Sequence, residues 1–228
     1  MQTTHHKLHP SPRDLRFDAV VITQSSHYHS IHLLIKKSAS TFSLPTFTFF
    51  NMPVKCAING FGRIGRLVFR YAWEDPELEI FLVNDISSCE SAAYLAKYDS
   101  VHGTWNKTVE AAEDGKSFCV DDATVVYSEE KDFTNIDFKA LGVEMVMECT
   151  GKFLTVAALQ PYFDTCGIKQ VVVSAPVKEA GALNVVLGCN HDLLSKETLL
   201  VTNASCTTNC LAPVVKTIME NFGIKHGC

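Results

Sequence analysis

The chain of 228 residues is 46% hydrophobic and 20% charged, so it is long and apolar enough to bury the core of a globular protein. Its formal net charge of −5 is unevenly spread, since residues 1–51 hold five Lys or Arg against two Asp and the remainder is acidic. An acidic body argues against nucleic acid as a partner, and no apolar run reaches the roughly 18–20 residues that span a membrane.

Residues 1–51 differ in composition from the rest of the chain. They contain six of the nine histidines, thirteen Ser or Thr and no Glu. We predict an unstructured extension, or upstream sequence translated ahead of a true start at Met52. The alternative is an organelle transit peptide, which is Ser-rich, basic and poor in acidic residues. Asp14 and Asp18 count against that alternative.

A dinucleotide signature follows the first predicted strand, 54–59. Gly60, Gly62 and Gly65 form a GxGxxG motif that opens a helix predicted over 63–73 from its apolar spacing. The first glycine permits a tight turn, the second lets the backbone approach a pyrophosphate, and the third lets the helix pack on the strand. The phosphates would rest on the helix N-terminus.

The next predicted strand, 79–85, ends in Asp85. This carboxylate lies twenty residues past Gly65, where it would accept hydrogen bonds from the adenosine ribose hydroxyls. Its negative charge would repel a 2′-phosphate, so the motif favours NAD over NADP.

Alternating strands and helices continue along the chain. Strands are predicted at 143–148, 170–174 and 184–188, with a helix over 156–166, which indicates an α/β, Rossmann-type, doubly wound and mostly parallel sheet. Thr150 and Ser174 fall at strand carboxyl ends, where ligands bind in such sheets. Bare turns would look much the same, so the residues alone leave their role open.

Cys206 stands out among nine cysteines that form no regular framework and indicate reduced thiols. It follows the apolar run 199–202 and precedes a helical pattern over 211–221, so a strand would deliver the thiol to a helix start. The helix amides and dipole would stabilise negative charge on the sulfur, as a nucleophile requires. Cys210 is expected to be a packed thiol rather than a disulfide partner or a metal ligand.

Five motifs occur in an order that is typical of one enzyme family. They are Asn59-Gly60-Phe61-Gly62-Arg63-Ile64-Gly65-Arg66, Asn84-Asp85, Lys97-Tyr98-Asp99-Ser100-Val101-His102-Gly103, Val173-Ser174-Ala175-Pro176 and Ala204-Ser205-Cys206-Thr207-Thr208-Asn209-Cys210. Over residues 52–228 the chain resembles the amino-terminal half of a phosphorylating glyceraldehyde-3-phosphate dehydrogenase, with details similar to an arsenate-linked subgroup. The resemblance implies an NAD-binding domain over 52–203, followed over 204–228 by the truncated start of an α+β catalytic domain.

The resemblance also implies roles for individual residues. Around the cofactor it places Arg63 and Ile64 at the pyrophosphate, Asp85 at the ribose, and Thr150 and Ser174 beside NAD. Lys131 would lie near the adenine, although Phe133 stands where the family usually has proline. Cys206 would be the nucleophile, with Ser205 and Thr207 binding the attacking phosphate.

The implied reaction is NAD-dependent oxidation of glyceraldehyde 3-phosphate to 1,3-bisphosphoglycerate through a Cys206 thioester. Inorganic phosphate, or arsenate in its place, would accept the acyl group, and the full-length protein would be a homotetramer in the cytoplasm, or in an organelle if residues 1–51 are a transit peptide. The family's general base is a histidine just beyond the last residue here, so we expect an incomplete chain with weak turnover.

His102, His191 and His226 are assigned to packing or hydrogen bonding. A truncated NAD-binding or interaction module without turnover stays open as the alternative.

Overall fold

The computed structural model describes residues 20–24, 31–35 and 52–227. In the first 51 residues two strands, β1 (Val20–Gln24) and β2 (Ile31–Ile35), pair in antiparallel fashion. This pairing differs from the unstructured extension that we expected over those ten residues. The prediction for the rest of the segment lies outside the described residues.

The strands that follow build one sheet around which the helices pack. They are β3 (Val54–Asn59), β4 (Leu78–Asn84), β5 (Val109–Ala111), β6 (Ser117–Val120), β7 (Ala123–Ser128), β8 (Met145–Glu148), β9 (Gln170–Val173), β10 (Leu183–Asn184) and β11 (Leu200–Thr202). Their order in the sheet is β10–β11–β9–β8–β3–β4–β7–β6–β5. Every neighbouring pair from β10 to β7 is parallel, whereas β6 and β5 extend the edge in antiparallel fashion. The prediction of a Rossmann-type, mostly parallel sheet is therefore confirmed.

In the described part of the chain the helices are α1 (Arg63–Ala72), α2 (Cys89–Lys97), α3 (Val156–Asp164) and α4 (Cys206–Phe222). Three of them begin after a hydroxyl side chain that accepts a hydrogen bond from a backbone N–H in the first turn. These capping residues are Ser88 for α2, Thr155 for α3 and Ser205 for α4. The N-cap of α1 is Gly62, which has no side chain to offer.

The core lies on both faces of the sheet, because successive side chains of a strand point to opposite sides. On one face Ile58 of β3 belongs to a buried cluster with Leu67 and Phe69 of α1. On the other face Ala57 belongs to a second cluster with Leu159 of α3. Helices on both faces are what a doubly wound fold requires.

The strand order reverses between β3 and β8, which are neighbours in the sheet. Gly60 follows the carboxyl end of β3, and residues 149–151 follow that of β8. A backbone hydrogen bond joins these two ends, since Cys149 N–H donates to Asn59 O at 2.7 Å, and Gly60 N–H donates to Asn84 O, at the end of β4, at 2.8 Å. Ligands of open α/β sheets bind in the crevice at such a switch point.

The prediction of a strand over 184–188 is wrong beyond Asn184, where β10 ends. The Asn190 side chain takes hydrogen bonds that a neighbouring strand would otherwise make with this segment. Its Oδ1 accepts a hydrogen bond from Val186 N–H at 2.7 Å, and its Nδ2 donates to Asn184 O at 2.9 Å. Gly188 then turns the chain with φ of +79°. The valines at 185 and 186 are buried without forming a strand.

The prediction also lacked α2 and the strands β5 to β7. Helix α2 buries mostly alanines, Ala92, Ala93 and Ala96, which carry a weak hydrophobic signal. Strand β7, which lies between β4 and β6, buries only alternate residues, Val125 and Tyr127. Within the described ranges no helix is long and apolar enough to cross a membrane.

Candidate active site

The chain turns sharply at Gly60, directly after β3. Gly60 has φ of +90°, and a Cβ there would lie 2.5 Å from the backbone N of Thr150 and 2.7 Å from its Cα. A Cβ on Gly65 would collide with the carbonyl oxygen of Gly60. These two glycines let the turn, α1 and the loop after β8 pack against one another, as the motif predicts.

Gly62 faces open space instead. A Cβ at this position would find no atom within 4 Å, and its φ of −67° is available to any residue. Because Gly62 is also the N-cap of α1, no side chain of its own covers the first amides of that helix. Arg63 is exposed and Ile64 is half-buried at the same end. Open backbone at a helix N-terminus suits a pyrophosphate.

Asp85 follows β4 and lies beside the glycine turn. Its Oδ2 accepts a hydrogen bond from Phe61 N–H at 2.5 Å. Its Oδ1 accepts hydrogen bonds from the N–H and the hydroxyl of Ser87, both at 2.9 Å. Oδ2 therefore keeps a second lone pair that a ribose hydroxyl needs as an acceptor. The structure brings the predicted acid and the predicted motif together.

Thr150 and Ser174 lie at the carboxyl ends of β8 and β9, as predicted, and both are half-buried. Thr150 is packed against Gly60, as described above. Ser174 N–H donates a hydrogen bond to Glu148 O at 2.9 Å, which ties the end of β9 to the end of β8. Both residues border the crevice, and their contact with the cofactor stays a prediction.

Lys131 is exposed just beyond the end of β7. Two residues later, Phe133 is buried and stacks on Tyr162, with ring centroids 3.8 Å apart. Phe133 therefore packs in the hydrophobic core, at a position where the family usually has proline. The contact of Lys131 with the adenine stays a prediction.

Cys206 is the first residue of α4, and it is exposed. It follows β11 through a short turn whose first residue, Asn203, donates its N–H to Val173 O at 2.9 Å. The turn therefore lies beside the end of β9, where Ser174 begins the next loop. The strand-to-helix placement predicted for the thiol is present in the structure.

Ala204, in the middle of this turn, has φ of +53°. A left-handed backbone costs a residue with a side chain about 1–2 kcal/mol, so its surroundings must hold it there. Ala204 N–H donates to Thr202 Oγ1 at 3.0 Å. The Asn209 amide donates to Asn203 O at 2.7 Å and to Ser205 O at 3.0 Å. The entry to α4 is therefore fixed on both sides of the strained residue.

Hydroxyl groups surround the first turn of α4. Ser205 Oγ accepts a hydrogen bond from Thr208 N–H at 3.1 Å, and it lies 2.9 Å from Thr207 Oγ1 and 2.7 Å from Thr208 Oγ1. Ser205 therefore caps the helix in addition to the phosphate contact predicted for it. Three hydroxyls and the helix amides next to Cys206 form a polar surface that suits an oxyanion.

Known proteins match this chain over both parts of the site. Residues 54–156 match the sequence model described as glyceraldehyde 3-phosphate dehydrogenase, NAD binding domain, and residues 205–228 match the model of the C-terminal domain of the same enzyme. The chain belongs to the glyceraldehyde-3-phosphate dehydrogenase family. The predicted resemblance to that family is thereby confirmed.

Curated relatives carry the same name. Glyceraldehyde-3-phosphate dehydrogenase 3 of Nostoc sp. is 50% identical over 178 residues, which is 77% of this chain and 52% of the relative. The enzyme of Zymomonas mobilis is 44% identical over 178 residues, and glyceraldehyde-3-phosphate dehydrogenase 1 of Bacillus subtilis is 42% identical over 177 residues, with the same shares of both chains covered. The chain spans about half the length of the curated relatives that it matches.

NAD is the cofactor of this dehydrogenase-family domain, as predicted. The open backbone at Gly62 and the uncapped start of α1 fit its pyrophosphate, and the free lone pair of Asp85 fits its ribose. Bound NAD supplies a hydride acceptor. The residues described here bind and orient it.

The described cysteines differ in burial, and Cys119 and Cys189 are half-buried. All eight described cysteines are free, and four are buried: Cys56, Cys89, Cys149 and Cys166. Burial raises the pKa of these buried thiols, to about 12 for Cys149 and about 11 for Cys89. Cys206 and Cys210 are exposed. The packed environment predicted for Cys210 is wrong, because α4 buries none of its residues in this structure.

The described residues hold no group of three or more His, Cys, Asp or Glu that would suit a metal ion. His102 Nδ1 lies 3.2 Å from Asp99 Oδ1, and His191 Nδ1 accepts a hydrogen bond from Gly188 N–H at 3.0 Å. The hydrogen-bonding role predicted for these two histidines is confirmed. His226 is exposed, which argues against packing, and the hydrogen bonding predicted for it as the other possibility stays a prediction.

Two residues that hold the site escaped prediction. Asn209 fixes the turn before Cys206, and Glu148 lies fully buried at the end of β8. The signal for Glu148 was available, because a carboxylate that ends an apolar strand is rarely buried without a purpose. Asn209 offered no comparable signal, since its role depends on the three-dimensional path of the turn.

Proposed function

We propose that this chain carries the cofactor site and the nucleophile of an NAD-dependent, phosphorylating glyceraldehyde-3-phosphate dehydrogenase. The observation that carries the proposal is the exposed Cys206 at the start of α4, beside the strand ends that border the NAD crevice. The relatives named for this activity support it over the matched half of their length.

The chemistry begins at the Cys206 sulfur, which adds to the aldehyde carbon of glyceraldehyde 3-phosphate. The carbonyl oxygen takes up a proton, and the product is a hemithioacetal. Bound NAD would accept the hydride that leaves this carbon as the hydroxyl group loses its proton, so a thioester would remain on Cys206. The thioester retains the oxidation energy that hydrolysis would release.

The acyl group then passes to inorganic phosphate. A phosphate oxygen attacks the thioester carbon, the bond to Cys206 breaks, and 1,3-bisphosphoglycerate leaves. The hydroxyls of Ser205 and Thr207, 2.9 Å apart, would donate hydrogen bonds to the attacking phosphate. Arsenate has the same shape and charge, so it would serve as an alternative acceptor at this surface.

The assembly and location of the protein are further parts of the proposal. The family resemblance supports a homo-oligomer, a tetramer at full length. Eight free cysteines in the described part of the chain support a reducing compartment such as the cytoplasm.

A single-turnover reaction tests the proposed chemistry. Incubating the 228-residue chain with glyceraldehyde 3-phosphate and NAD, without phosphate, is expected to place a 3-phosphoglyceroyl group on the Cys206 peptide and to form an equal amount of NADH. Peptide mass spectrometry and absorbance measure the two products, and added phosphate or arsenate should release the acyl group. A chain that binds NAD and never acylates Cys206 would contradict the proposal and would instead act as an NAD-binding module.

A further inference from the structure

A buried hydrogen-bond network lies beneath the NAD crevice, with Glu148 at its centre. The Glu148 side chain is 1% exposed at the end of β8. Its Oε1 accepts hydrogen bonds from the N–H of Thr150, at 2.8 Å, and from the Thr150 hydroxyl. Its Oε2 accepts hydrogen bonds from Asn59 Nδ2 at 2.8 Å and from the Tyr162 hydroxyl at 2.7 Å. Four donors therefore occupy the two carboxyl oxygens.

The network continues across the carboxyl edge of the sheet. Asn59 Oδ1 accepts a hydrogen bond from Asn84 Nδ2 at 2.8 Å, and Asn84 Oδ1 accepts one from Glu130 N–H at 2.9 Å. The ends of β8, β3 and β4 and the segment after β7 are thus joined by buried polar side chains. Fully satisfied networks of this kind hold one arrangement, because each broken bond leaves a buried group unpaired.

The donor set suits an ionised carboxylate, which only accepts hydrogen bonds and has about four lone-pair sites. Burial raises the pKa of the Glu148 carboxyl above its ordinary value, whereas the hydrogen bonds from Thr150, Tyr162 and Asn59 act against that shift. Burial also raises the pKa of the Tyr162 hydroxyl, which therefore stays a donor.

Thr150 is the link between this network and the cofactor site. Its backbone lies against Gly60, where no Cβ fits, so the position of the Thr150 backbone determines where the glycine turn can lie. The Thr150 N–H is held by Glu148 from below. A shift of this loop would move one wall of the crevice that receives NAD.

We propose that Glu148 is a positioning residue for NAD: its carboxyl group fixes the Thr150 backbone against the Gly60 turn and so sets the shape of the cofactor crevice. Glu148 acts through Thr150 and does not touch the cofactor. The inference rests on dinucleotide binding by this domain and not on turnover at Cys206, so a chain that binds NAD without any dehydrogenase activity still tests it.

Titration calorimetry of NAD binding to the folded 228-residue chain tests the inference in three variants. Glu148→Ala removes the acceptor and is expected to weaken NAD binding about tenfold or more. Glu148→Gln should lose clearly less NAD affinity than Glu148→Ala, because its amide oxygen still accepts from Thr150, although its NH₂ faces the Asn59 Nδ2 donor and cannot accept from it. This rescue by an uncharged side chain of equal reach separates positioning from a general effect of charge.

Tyr162→Phe is the matched control, since it removes one donor on the opposite carboxyl oxygen and leaves the Thr150 contact intact. It should lower the urea midpoint of unfolding while NAD affinity stays within about twofold, because the two lost hydrogen bonds, Tyr162 to Glu148 Oε2 and Asn59 Nδ2 to the Tyr162 hydroxyl, do not involve Thr150. Equal NAD affinities for the parent chain and Glu148→Ala would overturn the inference, as would an equally large loss in Tyr162→Phe.

Hydrogen exchange on the parent chain keeps the test decisive if Glu148→Ala does not fold. An amide bonded to a buried carboxylate exchanges slowly, so the Thr150 amide is expected to be protected relative to the amide of the exposed Gly151. A Thr150 amide that exchanges as fast as that of Gly151 would contradict the proposed anchoring.

Discussion

Exchanging Cys206 for serine is expected to lower the rate of single-turnover acylation by about 10³-fold or more, as loss of a covalent nucleophile does in other enzymes. The serine hydroxyl is a far weaker nucleophile than a thiol, and no described residue is placed to activate it. Mass spectrometry of the α4 peptide after reaction with glyceraldehyde 3-phosphate and NAD measures the effect.

The matched control is Cys210→Ser. Cys210 is exposed on the same helix but lies one turn further from its N-terminus, so it has the same chemistry without the same position. Its replacement should leave the acylation rate within about twofold of the parent chain. If the acyl group instead appears on Cys210 or is spread over the exposed thiols, the assignment of the nucleophile is wrong.

Replacing Gly60 with alanine is expected to destabilise the fold by about 3 kcal/mol or more, from left-handed backbone strain and overpacking together. The added Cβ would lie 2.5 Å from Thr150 N and 2.7 Å from Cys149 C, and both are backbone atoms that cannot rotate away. Urea denaturation followed by far-ultraviolet circular dichroism measures the loss.

Gly62→Ala is the informative comparison, because its Cβ would enter open space and its φ of −67° suits alanine. Stability should fall by about 1 kcal/mol or less, as for an N-cap glycine replaced by alanine. NAD affinity should fall nonetheless, because the methyl group takes the place where the backbone approaches the pyrophosphate. Similar losses of stability in the two variants would contradict the assignment of Gly60 to packing of the fold and of Gly62 to approach of the cofactor.

The sequence predicted most of what local patterns encode. The apolar run over 54–59 predicted a strand, and the glycines after it predicted a turn into a helix. The charge of Asp85 at the end of the next strand predicted a contact with the ribose. The thiol at Cys206 was predictable for the same reason, because an apolar strand precedes it and a helical pattern follows it. These features depend on neighbours within a few residues along the chain.

The features that the sequence did not predict depend on individual side-chain hydrogen bonds rather than on a repeating pattern of residues. The shortened β10 results from Asn190 bonding back to Val186 and Asn184, and the left-handed turn at Ala204 depends on Asn209. Two of the three partners of Glu148 come from other elements, Tyr162 from α3 and Asn59 from β3, and Asn59 is 89 residues away along the chain. No local propensity distinguishes such residues from ordinary polar ones.

The central claim is that the NAD crevice and the Cys206 thiol form one reaction centre. A crystal structure of the 228-residue chain with NAD measures this directly as the distance between Cys206 Sγ and C4 of the nicotinamide ring. We expect a separation of about 4 Å, with the pyrophosphate at Gly62, because the substrate carbon bonded to Sγ must come into near contact with C4 to transfer its hydride. NAD bound at the glycine turn with its ring more than about 8 Å from Cys206 would contradict it, because a hydride cannot cross such a gap.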